Sequence, residues 1–244
     1  MHRLDAAEEA LDGAQRRILG ANHAAIAAAR GDLYLHRGLF DVARSLFEES
    51  ERRSPHGGAA SHVAYYHWQL GDYAAADAEL DRLTLLRGRH LAYLEFTRGM
   101  LDFAQGRHGE ALAHYEAADD AFSGWPLVWE HMAEVHQAEG RLFLAEALYR
   151  RVVQLTESPS AMTMLALCVD ADEAAYWLRR AEALHRRDLE LLPEASAGHA
   201  LDYFLHHGDP AEALDLAIRN HGLRPGGEAT VKFAQALCND GAWA

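Results

Sequence analysis

Apolar and small positions along this chain return on a beat of about 34 residues, the kind of period that marks stacked repeats. An alanine followed four residues later by a large apolar residue carries it: Ala43 and Phe47, Ala76 and Leu80, Ala111 and Tyr115, Ala145 and Tyr149. A glycine stands five residues ahead of each alanine, at Gly38, Gly71, Gly106 and Gly140, in steps of 33, 35 and 34 residues. Residues four apart share one face of a helix, and a glycine between two apolar runs ends the first of them. The pattern therefore predicts helical hairpins, each with a helix A and a helix B, stacked so that neighbours bury what one hairpin leaves bare.

The beat slips once. Ala174 and Leu178 mark a further unit and Ala213 the next, but the steps there are 29 and 39 residues, which together make two periods. Ser158 and Pro159 predict an N-cap and first helical position for a short helix A running to about Val169. The long stretch that follows is broken at Pro193. Both ends fall on half-units. Ala7, Leu11 and Ala14 fit a helix B over residues 1–20 without a helix A, and Phe233, Ala234 and Leu237 fit a helix A over 226–244, where the chain stops at Trp243 and Ala244. Repeats are expected at 21–55, 56–88, 89–123, 124–158, 159–190 and 191–225, in one solenoid over 1–244. Solenoids need polar caps, so three readings of the ends stand: a piece of a longer protein, tolerated caps, or orphan helices that pair between copies into a homo-oligomer.

These residues resemble the tetratricopeptide repeat (TPR), W-x2-L-G-x2-Y…A-x3-F…P. One copy reads Trp129, Met132, Ala133, His136, Gly140, Leu142, Ala145 and Tyr149. Another has Gly31, Tyr34, Gly38, Phe40, Ala43, Phe47 and Pro55, and a third Phe204, Gly208, Pro210, Ala213 and Pro225. The resemblance implies an all-α fold, an α-solenoid wound as a right-handed superhelix, of the kind found in bacterial TPR-like proteins. It also implies a protein-binding scaffold with helix A on the concave face.

Composition narrows the partner. The net charge of −14 disfavours nucleic acid and anionic membranes and suits a basic or apolar protein or peptide. One lysine, Lys232, stands against 22 arginines, a bias expected of a GC-rich genome. The charged start does not read as a signal peptide, and no apolar run reaches the roughly 20 residues of a membrane span, so a cytoplasmic protein is expected. Cys168 and Cys238 match no CxxC spacing and are expected as buried free thiols.

Carried over by the resemblance, the concave groove takes Ser61, His62, Tyr65, Trp68 and Gln69 from one helix A, and Tyr93, Phe96, Thr97, Met100 and Phe103 from the next. Leu127, Glu130, His131, Glu134 and Gln137 follow, with Asp32, His36, His199, Asp202 and His206 towards the ends. Tyr65, Trp68, Tyr93 and Phe96 either face a partner or pack on the neighbouring helix A. Glu130, Glu134 and Asp202 would be counter-charges for a basic segment. The basic set that grips a peptide carboxylate in some relatives is absent.

Sixteen histidines raise the question of metal. His62/His67 and His131/His136 are five apart, which does not put two ligands on one helical face. A metal or enzymatic site from His62, His131 and Glu134 is the alternative reading; His67 and His136 replace the family tyrosine and are expected to pack. No nucleophile elbow, phosphate loop or dinucleotide fingerprint occurs, so no enzyme and no cofactor is expected. Histidine titrates near 6.5, so mild acid should weaken binding of a basic partner.

Overall fold

The computed structural model describes residues 4–17, 22–54, 59–83 and 86–241, the side chains of Asn22 and Glu194 apart. Pro55, Trp243 and Ala244 lie outside the described residues, as do 1–3 and 18–20 of the first half-unit. Among the described residues there are fourteen helices and no strand. They are α1 (Leu4–Arg17), α2 (Asn22–His36), α3 (Phe40–Arg53), α4 (Ala60–Gln69), α5 (Tyr73–Asp81), α6 (Arg89–Ala104) and α7 (His108–Ala121). Then come α8 (Pro126–Ala138), α9 (Leu142–Thr156), α10 (Pro159–Ala166), α11 (Ala171–Leu191), α12 (Pro193–His207), α13 (Pro210–Leu223) and α14 (Gly227–Asp240).

The glycines of the beat end helix A in one way. Gly38, Gly71, Gly106 and Gly140 all take a left-handed φ of 72–75°, a region that penalises a side chain. The turn then closes on the orphan carbonyls behind it. After α6, Gly106 donates to the Phe103 carbonyl and Arg107 to that of Asp102, both at 2.9 Å; after α8, Arg141 donates to His136 at 2.8 Å. This is the Schellman closure, and it lets helix B start two residues after the glycine.

Inside a hairpin the two helices meet at a glycine. A methyl on Gly99 of α6 would come within 2.5 Å of the Tyr115 ring of α7, and one on Gly31 of α2 within 2.3 Å of the Phe47 ring of α3. Both rings are buried, as are Ala43, Ala76, Ala111 and Ala145 of the beat. Close packing at this density leaves no room for an extra methyl.

The slip is resolved at its predicted start. Ser158 Oγ accepts from the Ala161 N–H at 3.2 Å and Pro159 opens α10. That helix stops at Ala166, three residues short of the expected Val169, in a turn where Cys168 N–H bonds the Leu165 carbonyl. The displaced length goes into α11, the longest helix at 21 residues, and Pro193 begins α12.

The chain divides into two compact units: residues 1–79 with 186–244, and residues 80–185. In the first, α1 is tied to α2 through Tyr34 to Glu8 (2.8 Å) and Arg37 to both Glu8 and Asp5 (2.7 Å each), with Arg30 bonded to Asp12. In the second, Arg150 of α9 reaches Glu146 on its own helix and Glu173 on α11 at 2.5 Å, and holds the Glu173 carboxyl down to about 2. Arg151, next to Arg150 on α9, lies instead 3.4 Å over the Trp129 ring. Asp119 accepts from Trp129 Nε1 and the Gly124 amide, tying the α7–α8 loop to α8. One expectation is corrected: Cys238 is exposed, because it falls on the uncovered side of α14, while Cys168 is half-buried.

Gly99→Ala should lower stability in urea unfolding by about 1–2 kcal/mol, because overpacking against Tyr115 outweighs the gain in helix propensity. Tyr115→Phe should do the reverse. The buried Tyr115 hydroxyl has no hydrogen-bond partner, so its removal should raise stability by about 1 kcal/mol in the same measurement.

Candidate functional site

The expected groove residues are spread over both units, and each unit builds its own constellation. In residues 1–79, α4 follows the α2–α3 hairpin. His62 Nδ1 lies 2.7 Å from Asp32 Oδ2 on α2, and its ring stacks 6.2 Å from Phe47. Tyr65 meets Trp68 edge-on at 5.5 Å and lies 6.3 Å from His36. Tyr65 and Trp68 are half-buried, and Gln69 is exposed at the end of the helix. His67, at the family tyrosine position, points its Nδ1 into the interior without a partner.

In residues 80–185 the aromatics separate into two kinds. Tyr93 is 51% exposed on α6, one turn before Phe96, which is 5% exposed. Phe96 packs among Tyr115, Trp125 and His131 at 5.8, 5.0 and 5.0 Å. It is a core residue, filling the wedge between α6, α7 and α8, and presents no face to a ligand. Thr97 is likewise buried and back-bonds to the Tyr93 carbonyl. Met100 and Phe103 are partly buried against the same cluster.

Helix α8 carries the charged part. His131 stacks on Tyr115 at 5.7 Å and bonds Glu134 Oε2 through Nδ1 at 2.7 Å. Glu130, one turn before Glu134, is half-buried and makes no hydrogen bond or ion pair among the described residues. Burial first, then the Glu134 carboxylate, push its pKa above the usual glutamate value, against a smaller opposing pull from His131. Gln137 accepts from the Tyr149 hydroxyl at 3.1 Å, and Leu127 is exposed. A half-buried carboxylate, paired with none and beside another carboxylate, is costly unless it has a cation to meet.

Asp202, the third expected counter-charge, differs in kind. It is exposed on α12 and already holds Lys232 of α14 at 2.7 Å, which Glu228 also holds at 2.6 Å. His199 and His206 are exposed on the same helix. The sequence reading missed this partner, although Lys232 stands 30 residues from Asp202 and four from Glu228, spacings that suit neighbouring A helices and one helical face. It also missed an apolar recess of about 500 Å³ between α1 and α2, lined by Leu4, Ala7, Leu11, Leu33 and His36. Among the described residues no group of three or more His, Cys, Asp and Glu is placed to hold a metal ion, and no helix is long and apolar enough to cross a membrane.

No protein-family model and no curated protein matches the sequence. Solved structures do. A chain of the APC/C hetero-tetramer Cut9–Hcn1 superposes with a TM-score of 0.60 at 16% identity, covering 96% of this chain and 46% of that one. This chain thus spans less than half of that neighbour. PilF of Pseudomonas aeruginosa aligns with a TM-score of 0.59 at 16% identity, over 89% of this chain and 97% of its own. The C-terminal part of a TPR repeat-containing protein from Cytophaga hutchinsonii gives 0.50 at 13% identity, over 94% of both. Identities this low speak of fold, and the helical hairpins of the described residues, on a period of about 34, give this chain the all-α solenoid fold of the tetratricopeptide-repeat proteins.

Proposed function

We propose that this protein is a non-catalytic protein–protein interaction scaffold that receives a basic, partly apolar segment of a partner protein along its A helices. Glu130 carries the reading. The other candidate carboxylates of the A helices find partners inside the chain: Glu134 has His131, Asp202 has Lys232, and Asp32 has His62. Glu130 alone of these carboxylates is half-buried and unpaired among the described residues. An arginine or lysine of an incoming segment would meet both Glu130 and, one helical turn on, Glu134. The exposed Leu127, one turn before Glu130 on α8, and the exposed Tyr93 on α6 of the same unit offer apolar contact. Extended segments bound on helical repeats take specificity from such spaced side-chain contacts.

The test is Glu130→Gln. With its pKa raised in the folded state, Glu130 binds its proton more tightly folded than unfolded. Stability is therefore lost as pH climbs from the ordinary glutamate value through the raised one. The glutamine lacks this loss, so above that window the variant should melt about 2 °C higher than wild type by circular dichroism. The same variant should bind a fluorescein-labelled peptide of alternating leucine and arginine about tenfold more weakly by anisotropy, with a leucine–glutamine control unaffected. Equal affinity of Glu130→Gln and wild type for the arginine peptide would remove Glu130 from the site.

A further inference from the structure

A cavity of about 200 Å³ lies between α1, α2 and α3 and shares no residue with the candidate site. Ile26, Ala27 and Arg30 of α2 form one wall, and Leu46, Glu49 and Arg53 of α3 form another. These spacings put each trio on one face of its helix. Ile26 and Ala27 are buried, while Leu46 and Glu49 are half-buried. Pockets for drug-sized molecules run to roughly 300–1,000 Å³, so this cavity suits a small metabolite.

Its walls carry one unmet donor and one unmet acceptor. Arg30 spends a single guanidinium nitrogen inside the chain: Nη2 donates to Asp12 and, at 3.0 Å, to Gln15 Oε1. Its Nε is buried and has no hydrogen-bond partner. A buried N–H left unpaired is costly, so it marks a place for an acceptor. Glu49 receives both Nε and Nη2 of Arg53 on Oε1, at 2.8 Å each, and its Oε2 has no partner among the described residues. Charge is already balanced, since Arg30 has Asp12 and Arg53 has Glu49. A ligand that is only an anion or only a cation would bring an unmatched charge into this partly apolar space, whereas a zwitterion brings one of each sign. His23 of α2 adds a ring nitrogen to the lining, able to donate or to accept.

We propose that this cavity binds a free apolar α-amino acid of leucine's size. The ligand's carboxylate accepts from Arg30 Nε, its ammonium donates to Glu49 Oε2, and its side chain lies against Ile26, Ala27 and Leu46. Both polar contacts are then charge-assisted, which favours the free amino acid over a neutral amide carrying the same side chain. Water alone would meet the Arg30 N–H but leave the apolar wall without contacts. The bound molecule joins α2 to α3, and a ligand held only by the folded hairpin stabilises it by mass action.

Calorimetric titration of the full chain with L-leucine should give saturable one-to-one binding, and the melting temperature should rise with leucine concentration. Isocaproate lacks the ammonium, isopentylamine the carboxylate, and N-acetyl-leucinamide both charges; each should bind at least about tenfold more weakly than leucine. Arg30→Lys keeps a cation beside Asp12 but removes Nε, and Glu49→Gln removes the acceptor charge at a half-buried position. Each variant should weaken leucine about tenfold, with the helical circular dichroism of wild type. Should Arg30→Lys lose helix, Glu49→Gln and the ligand series still decide. The site is overturned if leucine shows no saturable binding, which leaves water as the occupant. It is equally overturned if any of the three analogues matches leucine, or if either folded variant binds leucine as wild type does. No readout here involves Glu130 or a peptide, so this site and the scaffold reading can fail separately.

Discussion

Two helices can cross as closely as α6 and α7 only where one of them brings no side chain to the crossing, and Gly99 is that place. The Tyr115 ring lies against its bare backbone, and from there it reaches across to stack on His131 of α8. His131 in turn holds Glu134, which adds to the burial that keeps Glu130 reluctant to ionise. The chemistry of the α8 face thus descends from a missing methyl group on another helix. Gly31 and Phe47 repeat the device in the α2–α3 hairpin, where the Phe47 ring supports His62. In this architecture the packing of a ring and the charge of the neighbouring helix face draw on the same few atoms.

Histidines act as connectors in this frame. His62 joins α4 to Asp32 on α2, and His114 joins α7 to Glu95 on α6, with Asp102 at 3.5 Å from its other nitrogen. Each such pair satisfies a carboxylate that would otherwise be left to solvent between helices. His67 and His136 do the opposite work, filling the aromatic slot of helix A with one nitrogen turned inward. These four histidines have structural places in the repeat.

The architecture was legible because its determinants are local. The glycine turns at Gly38, Gly71, Gly106 and Gly140, and the Ser158–Pro159 start of α10, each depend on a few adjacent residues. The candidate groove residues were legible only as a set of positions. Spacing puts Tyr93 and Phe96 on one helix, but which one is exposed depends on Trp125 and Tyr115, contributed by other helices. Likewise Asp202 reads as a free acid until α14 brings Lys232 beside it. The contact of Pro225 with Gly38 was out of reach, since a repeat pattern encodes neighbours and this contact joins turns at opposite ends of the sequence.

Lys232 has a practical consequence for anyone mapping the partners of this protein. It is the chain's sole lysine, and its side chain is held between Asp202 and Glu228 on the face where α12 meets α14. Two carboxylates keep that amine protonated, with its pKa raised despite the opposing effect of burial, so it is a poor nucleophile towards acylating reagents. Amine-directed cross-linkers, and enzymes that tag lysines, would find almost nothing to act on. The 37 carboxylates are the handles this surface offers, and carbodiimide coupling is the chemistry suited to capture what docks on it.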